Sequence, residues 1–428
     1  MKVKNLFISA AILFFVFCTF SACKKKGLNE RPTIEIISPA EGASFNSNEA
    51  ISIKVKVSDD VDVKLIKVGI NDENYIAITA SQSINVTEKE LEKLFVFKLD
   101  DSNLKQGSFY ISALVSDGEF ETKKYLKINI KETPKILMGF ITSETNGANS
   151  ILNFYNTLGT KENSFFYQGV FTKGAFFSSE QVLLGYSMNA GAKAIKWPEL
   201  NKVWEYNVAP IVNMTVDNDR FYLIKSDNYT TGFNTSDFSI SRNYYDPSFV
   251  YYPQCAAIGN TVFCAFQMSP NLNAQKKIIS YDINTSSVLK EKFTDYIIKD
   301  LLTLHDDIYV TYHITSLGEH QIGLYDYVNN NFSSIYNLTE SVKEILKLDA
   351  QNILILNNSG IGILNVPNQS FQMIINQNSI NGFAFESIRN EIFIVHNQVV
   401  EKYAINGAMI ASYNIGHLAN SINLMYNK

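Results

Sequence analysis

The sequence predicts an all-β protein in which a short two-sheet sandwich precedes a longer array of repeated four-stranded units. Apolar and polar residues alternate with period two over residues 32–132, and a strand-rich unit recurs every 39 to 46 residues from Lys135 onward. The 428-residue chain also contains 29 Phe and 23 Tyr. Short aromatic strands separated by Asn, Gly, Ser and Asp are typical of all-β proteins.

The bulk composition limits both the class and the function of the protein. Hydrophobic residues make up 46% and charged residues 18% of the chain, which indicates globular domains with apolar cores. The formal net charge is -5, and no basic cluster occurs outside the amino terminus. This charge distribution argues against binding to nucleic acid.

The amino-terminal segment has the pattern of a cleaved secretory signal. An uncharged run of fifteen residues, Leu6 to Phe20, follows a basic start that contains Lys2 and Lys4. This run is shorter than the roughly 20 residues that a membrane-spanning helix needs. Small residues follow it, so residues 1–22 are predicted to be a signal peptide.

The end of this signal carries a second feature. Phe20-Ser21-Ala22-Cys23 resembles the lipobox of bacterial lipoproteins, although an aliphatic residue is usual where Phe20 stands. The resemblance implies cleavage before Cys23, attachment of diacylglycerol to its sulfur and acylation of the new amine. Several acyl chains would anchor the protein stably to membrane lipid, with residues 23–31 as a lipidated linker. An ordinary cleaved signal with an incidental cysteine is the alternative.

The residues after Cys23 bear on the destination of such a lipoprotein. In lipoproteins of the Bacteroidetes type an acidic cluster after the cysteine often marks export to the cell surface. In enteric bacteria, Asp at the next position retains the protein at the inner membrane. Lys24-Lys25-Lys26-Gly27 has neither feature. The resemblance therefore implies an outer-membrane lipoprotein, and it leaves the periplasmic or surface face open.

Residues 32–132 are predicted to form an immunoglobulin-like β-sandwich. Alternation of apolar and polar residues gives each strand one buried face and one solvent-exposed face, so two sheets must stack. Ile37–Ala43 and Ala113–Gly118 resemble stretches of the bacterial immunoglobulin-like domains that lie beside lipoprotein anchors. That resemblance implies a spacer, with a ligand-binding role as the alternative. The predicted strands are Thr33–Ile37, Ile51–Asp59, Val63–Ile70, Leu94–Leu99, Gly107–Ser116 and Thr122–Ile130.

Residues 133–428 are predicted to form a seven-bladed β-propeller, because a period near 42 with four strands per unit is typical of propeller blades. The first unit lacks its innermost strand, since Ile136–Phe140 is already a second strand. Asn420–Tyr426 is an innermost strand with nothing after it. Strands from both ends of the domain would then complete the seventh blade and remove its open edges. The repeats lack WD40 and kelch signatures, so they resemble the architecture alone.

Two cysteines remain in the predicted propeller. Cys255 and Cys264 flank Gly259-Asn260, which is a good two-residue hairpin turn. With that turn, Cys255 would face Cys264 at a separation that allows a disulfide. The alternative is two small buried hydrophobic side chains packed side by side.

Few residues point to a particular chemistry. The sequence contains no metal-binding spacing, phosphate loop or nucleophile elbow, so no catalytic residue, metal or cofactor is predicted. A carboxylate pair for glycoside cleavage needs no sequence spacing, because folding assembles it. The stretch 242–253 is expected at a rim of the ring, where aromatics could stack on a sugar or hold a peptide; packing between blades is the alternative. Its ligand-contacting candidates are Tyr244, Tyr245, Tyr251 and Tyr252.

Two functions are consistent with these features. The first is a membrane-anchored, non-catalytic binding or scaffold protein whose propeller engages a protein or glycan. The second is a carbohydrate hydrolase or lyase that works at the axial mouth of the propeller. Propellers host many activities, so the architecture alone does not select between them.

Overall fold

The computed structural model describes residues 29–427 except 48, 100–103, 105, 208–209, 217–219, 228, 249 and 270–274. The predicted signal peptide and Cys23 lie outside the described residues. The described part consists of strands and turns, and none of it forms a helix that could cross a membrane. The chain divides into two compact units, with the boundary between Pro134 and Lys135.

Six strands form the first unit: β1 (Thr33–Ser38), β2 (Ser44–Asn46), β3 (Ala50–Asn71), β4 (Gln82–Lys98), β5 (Gly107–Ser116) and β6 (Glu121–Lys131). They hydrogen-bond in the order β1-β3-β5-β6-β2, and β4 pairs with β3. The pairing is antiparallel except between β2 and β6. Alternate apolar side chains from these strands fill one continuous core.

Strand β3 differs from the sequence prediction. Two strands with a turn between them were expected, but residues 50–71 form one continuous strand. Its register with β4 is irregular between Ser58 and Leu65, and the buried residues change from odd to even positions across that region. The extra residues of a bulge change the face on which the later side chains lie. The first half of β3 thus pairs with β1 and the second half with β5, while both halves bury apolar residues in the same core.

The second unit contains seven four-stranded antiparallel sheets. The strands that form them are β7 (Leu137–Asn146), β8 (Asn149–Asn156), β9 (Lys161–Tyr167), β10 (Lys173–Phe177), β11 (Val182–Ser187), β12 (Gly191–Lys196), β13 (Asn201–Tyr206), β14 (Ile211–Val216), β15 (Arg220–Lys225), β16 (Tyr229–Asn234), β17 (Ile240–Tyr245), β18 (Tyr252–Ile258), β19 (Val262–Met268), β20 (Lys276–Asp282), β21 (Val288–Thr294), β22 (Ile297–His305), β23 (Ile308–Ile314), β24 (His320–Asp326), β25 (Asn331–Leu338), β26 (Val342–Lys347), β27 (Asn352–Asn357), β28 (Gly360–Asn365), β29 (Ser370–Asn376), β30 (Gly382–Glu386), β31 (Glu391–His396), β32 (Val399–Ala404), β33 (Met409–Asn414) and β34 (Ser421–Tyr426). Six sheets take four consecutive strands each, from β10 to β33, and the seventh has the order β34-β7-β8-β9.

The sheets of the second unit pack face to face. Seven separate apolar clusters each join two neighbouring sheets, and one of them joins the sheet of β34 to the sheet of β30. Another cluster joins the sheet of β34 to the sheet of β10. Every sheet therefore has a neighbour on both faces. This explains why the second strands of the repeats are apolar at almost every position, since both of their faces are covered.

The last strand is the element that links the two ends of this unit. It pairs antiparallel with β7, from Ser421 opposite Ser143 to Tyr426 opposite Leu137, as the repeat pattern predicts. The hydroxyl oxygens of Ser143 and Ser421 lie 2.6 Å apart. Just outside the pairing, the backbone N–H of Ile136 donates to Oδ1 of Asn427 at 2.7 Å.

Truncation of one side chain in β34 tests whether the strand is docked. Leu424 is 8% exposed and belongs to the cluster shared with the sheet of β30. We expect Leu424→Ala to lower the free energy of unfolding by about 2 to 4 kcal/mol, because it leaves a cavity at this interface. Leu158→Ala, at a residue that is 80% exposed, serves as the control and should change it by less than about 0.5 kcal/mol. Equal effects of the two substitutions in chemical denaturation would mean that β34 is not packed there.

Candidate functional site

The first strands of the seven sheets surround a cavity of about 1020 Å³, called the central cavity below. Each of these strands is the terminal strand of its sheet, so one edge of its backbone has no strand partner. Neighbouring first strands lie side by side around the cavity. The strands that line it are β10, β14, β18, β22, β26, β30 and β34. A volume of this size accommodates a ligand such as a short peptide or oligosaccharide.

Four consecutive first strands carry a register irregularity near their start. The pairing skips Val212 in β14, Gln254 in β18, Lys299 in β22 and Lys343 in β26. Bulges of this kind are frequent next to binding sites, because they redirect the side chains that follow. In three of the four strands the next residue is polar and lines the central cavity: Asn213, Asp300 and Glu344.

Asp300 is fixed by backbone donors. Its Oδ1 accepts a hydrogen bond from the N–H of Leu301 at 2.9 Å, and its carboxylate also accepts one from the N–H of Ile345 on the neighbouring strand β26. Asn213 makes the same local contact, since its Oδ1 accepts the N–H of Met214 at 2.8 Å. Burial raises the pKa of Asp300, while Lys173 and the two N–H donors oppose the rise.

Glu344 lies on the next first strand and has the most strongly perturbed carboxyl group in the cavity. Burial raises its pKa to about 7; Lys173 opposes this rise, and the negative charge of Asp300 adds to it. Two carboxyls near one another with a shared lysine are the usual ingredients of a binding or acid–base site. Lys173 comes from β10 and lines the same cavity, together with the exposed Lys299, Lys343 and Lys347. Asp300, Glu344 and Lys173 are called the charged group below.

Sequence reasoning did not identify this group. Asp300 and Glu344 lie 44 residues apart, which is close to one repeat. Ile298-Lys299-Asp300-Leu301 and Val342-Lys343-Glu344-Ile345 are the same pattern, apolar-Lys-acid-apolar, at matching places in consecutive repeats. That recurrence is the signal that could have indicated a shared position in the ring.

The predicted cysteine pair is corrected by the structure. The turn lies one residue later than expected, because Ile258 pairs with Phe263 and the N–H of Gly259 donates to the carbonyl of Val262 at 2.8 Å. Ala257 therefore faces Cys264, and Cys255 faces Phe266. Both cysteines are buried and free, in one apolar cluster. Burial raises the pKa of both thiols.

The four tyrosines predicted to contact ligand at a rim occupy different environments. Tyr244 is buried and stacks on Phe263, with ring centroids 4.1 Å apart, so it packs between sheets. Tyr251 is also buried; its hydroxyl donates to Gln275 at 2.8 Å and its ring lies 4.2 Å from the ammonium of Lys277. These two tyrosines are not available to a ligand. Tyr245 is exposed and Tyr252 is half-buried.

The described residues contain no group of three or more His, Cys, Asp or Glu side chains that could hold a metal ion. The central cavity offers charged and hydrogen-bonding groups as its recognition chemistry. Besides Lys173, Asp300 and Glu344, it presents the amides of Asn213 and Asn423.

Comparisons with known proteins concern the fold. The family model for a bacterial Ig domain matches residues 32–113. AztD from Citrobacter koseri, solved in its apo form, is similar in structure with a TM-score of 0.50 and 10% identity over 67% of this chain and 98% of that chain. The WD40 domain of Neurospora crassa Pan2 aligns with a TM-score of 0.44 and 9% identity, over 60% of this chain and 78% of that one. U3-55K aligns with a TM-score of 0.45 and 8% identity, over 59% of this chain and 84% of its own.

A search of curated protein sequences finds no match to this chain. The prediction of an all-β protein with a bacterial Ig-like domain and a propeller-like array is confirmed by the family match, the structural neighbours and the four-stranded sheets. A likeness at 10% identity shows the fold alone and carries no activity to this chain.

Neutralising Glu344 should stabilise the protein in alkaline but not in acidic solution. Because its pKa is raised to about 7, the folded state binds the proton more tightly than the unfolded state does, and stability falls as pH rises from about 4 to 7. We expect Glu344→Gln to increase the free energy of unfolding by about 1 to 3 kcal/mol at pH 8 and to leave it unchanged at pH 4.

The control for this measurement is Glu162→Gln, which removes an exposed carboxylate on β9 and should have little effect at either pH. Urea denaturation of the three proteins at both pH values provides the comparison. A Glu344→Gln variant that is less stable than the wild type at pH 8 would contradict the assigned environment of this carboxyl.

Proposed function

We propose that this chain is a lipid-anchored outer-membrane protein that binds a polar ligand, supplied by a protein or a glycan, in the central cavity of a seven-bladed β-propeller. The observation that carries the proposal is the cavity itself, a formed space of about 1020 Å³ that contains charged side chains. Glu344, with its raised pKa, costs the free protein stability. Residues that cost stability at a cavity are candidates for function.

The seven-bladed architecture rests on three features of the second unit. It has seven sheets of four strands, each sheet packs against two others, and the last strand completes the sheet of the first three. Blades arranged in this way place their first strands around an axis. The central cavity is then the axial channel of the propeller.

The membrane anchor is proposed from the sequence. Cys23 would carry the lipid, and residues 23–31 would lead to the immunoglobulin-like domain at 32–132. That domain would act as a spacer between the membrane and the propeller at 133–428. The lipobox-like stretch supports a lipoprotein, and Lys24, at the position where the inner-membrane retention signal has Asp, supports the outer membrane. We propose that it belongs to the lipoproteins of the Bacteroidetes type.

Substitution of the predicted lipidated residue tests the anchor. We expect Cys23→Ser to abolish incorporation of labelled palmitate and to release the protein from the membrane fraction, because no acyl chain is attached. Cys18→Ser is the matched control, since this residue would leave with the signal, and it should change neither result. Palmitate labelling that survives Cys23→Ser would contradict the proposed anchor.

Binding in the cavity is tested by thermal unfolding of the detergent-solubilised full chain with short oligosaccharides and short peptides as probes. We expect at least one probe to raise the Tm, because a ligand at about 100 times its Kd adds about 2.7 kcal/mol of stability. The shift should disappear in Lys173→Met/Glu344→Gln and remain in Lys161→Met/Glu162→Gln, which makes matching charge changes at exposed sites on β9. The proposal fails if no probe raises the Tm, or if the shift survives in the cavity variant.

A second candidate function is carbohydrate hydrolysis in the same cavity. It is favoured by Glu344, whose pKa of about 7 suits a general acid, together with Asp300 on the adjacent strand β22. One protonated and one ionised carboxyl are the groups that a glycoside hydrolase needs. Shortened oligosaccharides in the binding assay, formed by the wild type and not by Glu344→Gln, would favour this function; intact sugars would favour binding alone.

A further inference from the structure

Lys173 lies on the side of the central cavity opposite Asp300 and Glu344. Lys173 is on β10, while Asp300 and Glu344 are on the adjacent strands β22 and β26. The strands β14 and β18 separate β10 from β22 in one direction around the cavity. The strands β30 and β34 separate β10 from β26 in the other direction. Lys173 therefore faces the two acids across the cavity, and the acids share their side with the exposed Lys299, Lys343 and Lys347.

Two of these opposed charges, Lys173 and Glu344, have no direct partner in the part of the chain that the structure describes. Neither Lys173 nor Glu344 makes an ion pair within 4.0 Å or a hydrogen bond there, and each influences the other only across the cavity. Charged groups in a protein interior usually have a close partner of opposite sign, because an unpaired one loses hydration without compensation. A ligand of matching charge in the central cavity would supply that compensation.

We infer that the central cavity binds a zwitterion of the amino-acid or short-peptide class, with its ammonium group between Asp300 and Glu344 and its carboxylate at Lys173. This inference rests on the function proposed above and names its ligand. An ammonium group has three donors and can therefore bind the carboxylates of two adjacent strands. A lysine supplies a point charge for the opposite, anionic end.

Other ligand chemistries match only part of this arrangement. A neutral sugar would leave all three charges uncompensated, and a simple anion would leave Asp300 and Glu344 uncompensated. A simple cation would be repelled by Lys173. Electrostatic complementarity therefore selects a ligand with both charges.

Three further lysines line the cavity and bear on its net potential. Lys299, Lys343 and Lys347 are exposed, and the ammonium of Lys343 donates to the backbone carbonyl of Ile380 at 3.1 Å. They add positive potential that opposes a cationic ligand more than a zwitterion of zero net charge. The amides of Asn213 and Asn423 are available for the peptide groups between the two ends.

The test is isothermal titration calorimetry of the full chain with tri-alanine at pH 7.5. Two blocked probes remove one charge each: N-acetyl-tri-alanine lacks the ammonium, and tri-alanine amide lacks the carboxylate. We expect tri-alanine to bind and each blocked probe to bind at least about tenfold more weakly, which corresponds to about 1.4 kcal/mol for each lost charge contact.

Two cavity variants assign the charges to the walls. Glu344→Gln should weaken tri-alanine binding about tenfold and should not weaken binding of N-acetyl-tri-alanine. Lys173→Met should weaken tri-alanine binding to the same degree and should not weaken binding of tri-alanine amide. Lys161→Met and Glu162→Gln, both on the exposed strand β9, are the controls and should bind tri-alanine like the wild type.

The possible failures are distinguishable. Equal binding of tri-alanine and the blocked probes would overturn the zwitterion inference. Glu344-dependent binding of an oligosaccharide, with no binding of any peptide, would also overturn the inference. That result would still support the proposed function of the cavity. If neither peptides nor oligosaccharides bind the wild type, both the inference and the proposed function are wrong.

Discussion

The pairing of the last strand with β7 is the contact on which the second unit depends. Ser421–Tyr426 supplies the innermost strand of a sheet whose other three strands lie between residues 137 and 167, more than 250 residues earlier in the chain. Without it, β7 would expose an unpaired edge, and the clusters on both sides of that sheet would lose Ile422, Leu424 and Met425. Closing so long a segment costs conformational entropy, and burial on both faces of the strand offsets that cost.

Closure of the array also explains why the central cavity can hold charge. The first strands turn a free backbone edge toward the cavity, and polar side chains satisfy several of those groups. The hydroxyl of Tyr312 accepts the N–H of Val342 at 3.2 Å, and the amide of Asn381 donates to the carbonyl of Ala419 at 2.8 Å. Asp300 does the same for Ile345. Because these bonds link neighbouring sheets near the cavity, the charged residues between them are kept in place around an open space.

Much of this fold could be predicted from the sequence, because strands and repeats produce local patterns of apolar and polar residues. The period-two alternation and the recurring apolar second strands identified both units, and the unpaired strand at Asn420–Tyr426 matched the one missing near Ile136. Register was harder to predict. A one-residue difference in the turn at Gly259 moved Cys255 away from Cys264, and bulging joined two expected strands into β3. Both depend on local irregularities that a pattern of residue types does not fix.

Local sequence patterns did not identify the candidate site. Asp300, Glu344 and Lys173 come from three different sheets, and only the circular arrangement brings them to one cavity. In the sequence, the ligand-contacting candidates came from the aromatic stretch around Tyr244 and not from these charged residues. In the structure, Tyr244 and Tyr251 are buried. Aromatic residues in short strands are needed for packing between sheets, so their abundance does not distinguish a binding surface from a core.

Closure of the ring is tested most directly by a cross-link between the two strands that seal it. Ser143 and Ser421 are opposite one another, and their hydroxyl oxygens are 2.6 Å apart, so cysteines at these positions lie within disulfide range. In the variant S143C/S421C, oxidation should produce an intramolecular disulfide between the peptides that contain residues 143 and 421, seen by mass spectrometry in a monomer. Free thiols at both positions after oxidation, or a bridge formed only between molecules, would contradict a ring sealed by the carboxyl-terminal strand.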